Sequence, residues 1–384
     1  YEAPFLAHAA LEPLVATAMV SADRCEAWAP TQQPDRTRDM MAQVTGLPRD
    51  KCQLNVTLIG GGFGRKWEVD FVRQAVEIAN QVKGRPIKLT WTREQDFQHD
   101  FYRPAHIARS RVGFGKDGRI LAMHTRTTGI AMWKYQKRPA IPGLGDPFAL
   151  GALITGQYQF PNKYTDYVET PDPIPVGTWR SVSASMNTFF SESALDDVAA
   201  ATRRDPLELR LSMLTDPRAR GVLQLAAEKA GWGTKLPRGR GRGIALGIGF
   251  EAYCAQVVEV SVSGGAVKID RIVCAFDCGT IVDPRNVEAQ VEGGIVWGLS
   301  AARDGQVTFK DGVAEQTNFH QGPLLRFNEM PRVEVHLVRS NAKPGGCGEA
   351  SVPPVAPALA SAIHAATGKR PRRLPLVAAG VKLA

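Results

Sequence analysis

The stretch Gly60-Gly61-Gly62-Phe63-Gly64 constrains this chain most, because four glycines in five positions cannot form the interior of a strand or helix. It must be a loop, and its flanks say what it joins. Before it, residues 52–58 alternate apolar and polar side chains, the period of a half-buried strand. After it, residues 67–82 carry Val69, Val72, Ala75, Val76, Ile78 and Ala79 at helical spacing. A glycine loop between a strand and a helix lets backbone N–H groups approach a ligand, and a helix N-terminus adds partial positive charge. The expected partner is anionic, bearing phosphate or oxo groups. Two familiar nucleotide loops are excluded. Arg65 stands where a dinucleotide fingerprint needs its third glycine, and Lys66-Trp67 replaces the Lys-Ser/Thr of a phosphate loop. A turn that only packs a strand against a helix fits the local pattern as well.

Three hundred and eighty-four residues exceed one ordinary domain. With 44% hydrophobic and 22% charged residues the composition is that of a globular protein, and no apolar run is long enough to span a bilayer. The net charge of +9 concentrates in 235–242 and 369–373. Neither cluster is interleaved with aromatics or set in a nucleic-acid-binding module, so solvated loops or a face for an acidic subunit are expected, and no nucleic acid. The six cysteines (25, 52, 254, 274, 278 and 347) form no C-x-x-C pair, which argues against an iron–sulfur cluster or structural zinc on this chain. The opening Tyr1-Glu2-Ala3-Pro4-Phe5 has no initiator Met or signal-peptide pattern, and reads as a processed chain or one subunit of an assembly. The compartment stays open between periplasm and cytoplasm.

The expected fold class is α+β, with two interlocked lobes of mixed sheets and helices. The pattern predicts helices over 36–44, 187–202, 206–214, 287–299 and 354–367. It predicts strands over 53–59, 87–91, 107–113, 120–128, 256–263 and 267–276. Residues 133–178, rich in proline and glycine, read as a long irregular excursion. The Gly/Arg stretch 237–243 reads as a linker between lobes at 1–236 and 244–384.

Several polar residues lie in settings that suit chemistry. Glu349 follows Gly345-Gly346-Cys347-Gly348 and precedes an aliphatic helix, where poor solvation would raise its pKa and equip it for proton transfer. An exposed glutamate or a first-turn helix charge is the plainer reading. Arg180, after Gly177-Thr178-Trp179, could clamp an oxyanion or make a structural salt bridge. The amides of Gln32 and Gln290 could satisfy oxo or phosphate oxygens, or lie on the surface. His8 with Glu12 and His99 with Asp100 look like metal-site fragments but lack further ligands at sensible spacing, which favours turn or interface roles.

Taken together, these residues resemble the C-terminal part of the molybdopterin-binding large subunit of the xanthine dehydrogenase/aldehyde oxidase family. The branch most similar is the isoquinoline 1-oxidoreductase beta subunit. The resemblance is carried by Thr31-Gln32, Gly60 to Gly64, Trp179-Arg180-Ser181, Ala289-Gln290-Val291-Glu292-Gly293 and Gly348-Glu349. Leu6-Ala7-His8-Ala9-Ala10-Leu11-Glu12-Pro13 and His99-Asp100-Phe101-Tyr102-Arg103-Pro104 fit the same branch, so the likeness runs nearly the whole chain.

The resemblance implies roles. Gln32 would stand beside the molybdenum oxo group, and Gly62, Phe63 and Gly64 would offer backbone N–H groups to the cofactor. Gln290 and Gly348 would contact the cofactor or border it. Arg180 would orient substrate, and Glu349 would be the general base. Protein side chains would not ligate the metal. The cofactor would be molybdopterin cytosine dinucleotide with molybdenum, and the reaction hydroxylation of an N-heteroaromatic compound or aldehyde with water as oxygen source. Electrons would leave through [2Fe–2S] clusters on a small partner subunit, with a cytochrome as one candidate acceptor. The family's segments that hold the distal cofactor are absent, so a second chain or a cleaved N-terminal half should supply them. Cys347, Ala350 and Ser183-Ala184-Ser185-Met186 depart from the family pattern and bear on substrate identity. The competing reading is a degenerate, non-catalytic docking subunit of a two-part assembly.

Overall fold

The computed structural model describes residues 1–136, 138, 141, 143, 145–154, 156–171 and 173–384. The remaining positions of the expected 133–178 excursion lie outside the described residues. The chain opens on a two-residue strand, β1 (Glu2–Ala3), which joins a later sheet. The first sheet follows: β2 (Val15–Val20), β3 (Cys25–Ala29), then helix α1 (Pro34–Thr45), β4 (Cys52–Val56), helix α2 (Asp70–Gln81) and β5 (Ile87–Thr90). Its order is β4-β3-β2-β5, with β3 and β4 parallel and the other pairs antiparallel. Alternation in β2 sends Ala16, Ala18 and Val20 inward. There they meet Phe71, Val72, Ala75, Val76 and Ala79 on the apolar stripe of α2.

The glycine loop lies between β4 and α2, but not at the N-terminus of α2. A single 3-10 turn, Arg65–Trp67, intervenes, and the helix starts only at Asp70. The expected helix-dipole contribution to the loop is therefore absent, and its donors are organised by side chains.

Helix α3 (Arg93–Gln98) starts on a Thr92 capping box and leads to β6 (His106–Phe114) and β7 (Ile120–Gly129). The expected irregular excursion holds two one-turn helices, α4 (Met132–Tyr135) and α5 (Pro147–Leu150), and a full strand, β8 (Asn162–Glu169). Strand β8 pairs parallel to β7 at the sheet edge, giving the order β1-β6-β7-β8. Its side chains are exposed or half-buried throughout, so no apolar period marks it in the sequence.

Helices α6 (Ala184–Thr202), α7 (Pro206–Leu211) and α8 (Pro217–Ala230) precede strands β9 (Arg240–Gly249), β10 (Ala252–Ser263) and β11 (Ala266–Asp277). Helix α9 (Pro284–Arg303) and the small hairpin β12 (Phe309–Lys310) and β13 (Val313–Ala314) follow. Strand β14 (Arg332–Leu337) and helix α10 (Val355–Thr367) end the order. The sheet β14-β11-β10-β9 is buried on both faces. One face, with Cys254, Val258, Ile272 and Phe276, packs on α9, α10 and Phe189-Phe190 of α6. The other, with Ile244, Leu246, Val257 and Val273, packs on α7 and α8.

The glycine–arginine stretch is not a bare connector, because Arg240–Gly243 begins β9. Its glycines are packing glycines. A Cβ on Gly243 would fall on the backbone of Ala358 and Ala362, and one on Gly241 on that of Ala362 and Ala366. Helix α10 therefore lies directly on the strand. Among the described residues no helix is long and apolar enough to cross a membrane.

Candidate active site

The glycine loop is pinned at both ends by buried cations. Lys66 is fully buried and ion-paired with Glu12, whose Oε2 also accepts the Gly60 N–H at 2.8 Å. Arg65 grips Asp70 through two hydrogen bonds of 2.8 and 2.7 Å and stands over the Trp91 and Phe101 rings. Within the loop Phe63 (φ 53°) and Gly64 (φ 111°) are left-handed. Gly64 also has to be glycine for space, since a Cβ there would fall on the Thr178 carbonyl. The Gly64 N–H donates to Gln32 Oε1 at 3.2 Å, and the Gln32 N–H donates to the Lys66 carbonyl at 2.9 Å. Among the described residues the Phe63 N–H and the Gln32 Nε2 donate to no acceptor.

The segment 178–182 brings the arginine and the carboxylate to the same place. Ser181 (φ 78°) and Val182 (φ 51°) are consecutive non-glycine residues in the left-handed region, a costly turn that clusters at functional sites. It aims the Ser181 N–H at Glu349 Oε1 (3.2 Å), and Ser181 Oγ donates to the Glu349 carbonyl (2.6 Å). Arg180 Nε donates to the Gly348 carbonyl at 2.7 Å. One Nη donates to Gln290, at 3.2 Å to its carbonyl and 3.3 Å to its Oε1. Its guanidinium lies 5.9 Å from the Phe63 ring centre. Arg180 therefore ties the Gly348 loop and α9 to the glycine loop, and among the described residues it forms no ion pair.

Burial shifts both groups. It pushes the Glu349 carboxyl above the ordinary glutamate range, against the opposing pull of the Ser181 N–H and of Arg180. It pulls Arg180 below its usual value, with Glu349 and Cys347 acting the other way. A carboxylate whose proton affinity is raised, beside a guanidinium not committed to a carboxylate, is equipped to take a proton while negative charge is stabilised nearby.

Helix α9 faces the site with Gln290, Gly293, Gly294 and Trp297, the i, i+3, i+4, i+7 stripe of one helix face. Trp297 stacks on Phe63 with ring centres 3.8 Å apart, and Trp179 lies 6.1 Å beyond. A Cβ at Gly294 would fall on Ser351 Oγ, so the helix can come this close only with glycine there. Sequence reasoning missed Ser181 and Trp297. The first had no signal beyond its place beside Arg180, whereas Trp297 stood in plain register with Gln290.

The four suspected metal-site residues serve the scaffold. His8 and Asp100 pair with each other, Glu12 holds Lys66, and the His99 ring packs edge-on to Trp91. Among the described residues, no group of three or more His, Cys, Asp or Glu side chains is gathered for a metal.

The geometry so far is a glycine loop with free donors, two amides, an arginine and a shielded carboxylate. Models of the molybdopterin cofactor-binding domain match residues 1–214 and 192–331, overlapping on α6 and α7. Glu349 lies beyond these matches but within the alignments to whole proteins. The chain is 32% identical to the beta subunit of isoquinoline 1-oxidoreductase of Brevundimonas diminuta, covering 98% of this chain and 48% of that protein. It is 30% identical to a nicotinate dehydrogenase subunit of Pseudomonas putida, covering 99% of this chain and 34% of that protein. It thus spans about half or less of the length of these two relatives. Quinoline 2-oxidoreductase of Pseudomonas putida 86 shares the fold, with a TM-score of 0.84 at 14% identity over 98% of this chain and 74% of that one. With its matches reaching from Tyr1 past the glycine loop, Arg180 and Gln290, the chain belongs to the family of molybdopterin cofactor-binding proteins.

Proposed function

We propose that this chain forms the catalytic half of a molybdenum hydroxylase that oxidises an N-heteroaromatic compound or an aldehyde. Water would supply the oxygen, and two electrons would leave through a [2Fe–2S] partner subunit. The observation that carries this reading is the Ser181 turn, which holds Glu349 and Arg180 together beside a glycine loop with uncommitted donors.

The residues present fit the cofactor. The Phe63 N–H on the glycine loop and the Gln32 amide nitrogen on the adjoining β3–α1 connection are open donors, and the Gln290 side chain is exposed on α9. Those groups, with Gly62, Gly64 and Gly348, would hold a molybdopterin, here proposed as the cytosine dinucleotide. When bound, the cofactor would supply the two-electron redox centre. Glu349 accepts a proton at a carboxylate oxygen, and the Ser181 N–H on Oε1 fixes the direction in which that carboxylate points. Arg180, anchored through Gly348 and Gln290, presents positive charge to an electron-poor ring or carbonyl. Trp297 and Trp179 back the Phe63 ring and exclude water from that side.

Leu58, just before the glycine loop, is 95% exposed, and Val282, just before α9, is 89% exposed. Apolar side chains left bare on the two segments leading into the site support a covering partner, either a second chain or an upstream half. The test is metal content of the native complex purified through a tag on this chain. Near-stoichiometric molybdenum with iron on a co-purifying small subunit is expected, together with incorporation of labelled water oxygen into product. No molybdenum, from a molybdenum-replete host with the partner intact, would overturn the reading.

A further inference from the structure

His8 is 1% exposed, and both of its ring nitrogens face groups that can only accept. Nδ1 lies 2.9 and 3.1 Å from the two carboxylate oxygens of Asp100, and Nε2 lies 3.1 Å from the Thr178 carbonyl oxygen. A carbonyl has no hydrogen to give. Asp100 has none either. It already accepts the backbone N–H groups of His8 (2.5 Å) and Phe101 (2.7 Å), and it lies 3.1 Å from Arg65 Nε. A neutral ring would turn a lone pair toward one of the two acceptors. Only a ring with hydrogens on both nitrogens satisfies both contacts.

We infer that His8 is a buried imidazolium that acts as a positioning residue, tying the Asp100 segment to Thr178 and so fixing the glycine loop against the arginine segment. The Thr178 oxygen it grips is the atom against which Gly64 packs, and Thr178 stands two residues before Arg180. One charged side chain thereby sets the register of the two segments that carry Phe63-Gly64 and Arg180. Of the other charged groups around it, Arg65 after the loop lies on the same carboxylate, and Asp96 on α3 interacts with both Asp100 and His8. The charge assignment stands on hydrogen-bond geometry alone, while its catalytic consequence rests on the function proposed above.

Neutron diffraction from deuterated crystals of the native complex tests the charge. Nuclear density for deuterium on both Nδ1 and Nε2 is expected, and a bare nitrogen on either side overturns the inference. Hydrogen–deuterium exchange of a His8→Gln complex tests the tie. Its single amide can satisfy only one of the two acceptors, so peptides covering 60–66 and 176–182 should exchange together, about tenfold faster or more. Peptides of β9 to β11 should not change. Acceleration in only one of the two loops, or in neither, sinks the positioning role, and should the variant fail to fold, the neutron result decides alone. A complex without molybdenum but with a doubly protonated His8 would defeat the proposed function and leave this inference standing.

Discussion

Glu349 owes its chemistry to its burial and two neighbours rather than to its position in the sequence. Burial raises its proton affinity, the Ser181 N–H lowers it, and Arg180 lowers it further, with burial winning. The sign of the pH effect follows. A folded-state pKa above the unfolded value means the contribution of Glu349 to stability is complete at low pH and is lost as pH rises through the folded pKa. In the proposed general-base role activity runs the other way, because a base must be ionised, so kcat/KM should rise through that same window above the ordinary glutamate range. Glu349→Gln should lower turnover by about a hundredfold to ten-thousandfold. Its thermal midpoint should match or exceed that of the wild type at neutral pH, since the amide keeps the Ser181 contact without a buried charge. Retained turnover would remove Glu349 as the base, and a lower midpoint would show that the carboxylate is stabilising after all.

At the level of elements, the sequence signals that worked were those of periodicity. Helices α1, α2, α9 and α10 and strands β6, β7, β10 and β11 lie close to their expected places, the helices through an apolar stripe and β10 and β11 through largely apolar runs buried on both faces. Strands β2 and β3 escape such a reading since alanine carries much of their buried face, and β8 because its edge position leaves it without an apolar face. Helix α8 is different, for its start is legible and is absent from the expected elements. Asp216-Pro217 is the same start as Asp205-Pro206 of α7 and Asp283-Pro284 of α9, with the aspartate accepting two backbone N–H groups each time. Of the site, the glycine loop, Arg180 and Glu349 are visible as isolated residues, but the turn at Ser181 that joins them is a backbone event that no local pattern encodes. The glycines of β9 mislead because composition cannot distinguish a flexible glycine from one that makes room for a helix. A paired substitution separates these. Gly243→Ala puts a Cβ into the backbone of α10 and should cost about 1–3 kcal/mol or more, whereas Gly249→Ala meets nothing within 4 Å and should stay within about 0.5 kcal/mol. Equal denaturant midpoints would show that α10 does not rest on the strand as described.

At the scale of the whole molecule, α6 is shared by the two cores that flank the sheet β14-β11-β10-β9. Its Met186, Phe189 and Phe190 enter the core on one face of that sheet, while Leu195, Val198 and Ala199 enter the core on the other. The helix is also where the two family-model matches overlap. Between these cores lies a fully buried charge network. Arg210 donates to Glu192 at 2.8 Å and to Asp196 at 2.9 Å, and Glu192 in turn accepts the Leu246 N–H of β9 at 3.0 Å. Such a network contributes little net stability when intact, but breaking it strands a carboxylate in the interior. Burial already pushes the Glu192 carboxyl above its ordinary range, with Arg210 the main opposing influence. Arg210→Met should therefore cost about 3–5 kcal/mol. Because Glu192 touches β9 while its helix reaches both cores, the loss should lower a single denaturant transition shared by the two cores. Separate transitions for the two cores, with only one of them displaced, would mean that the cores fold independently and that α6 belongs to one of them alone. A single displaced transition would mean that the Ser181 turn, which runs directly into α6 at Ala184, is held by a helix anchored on both faces of the sheet.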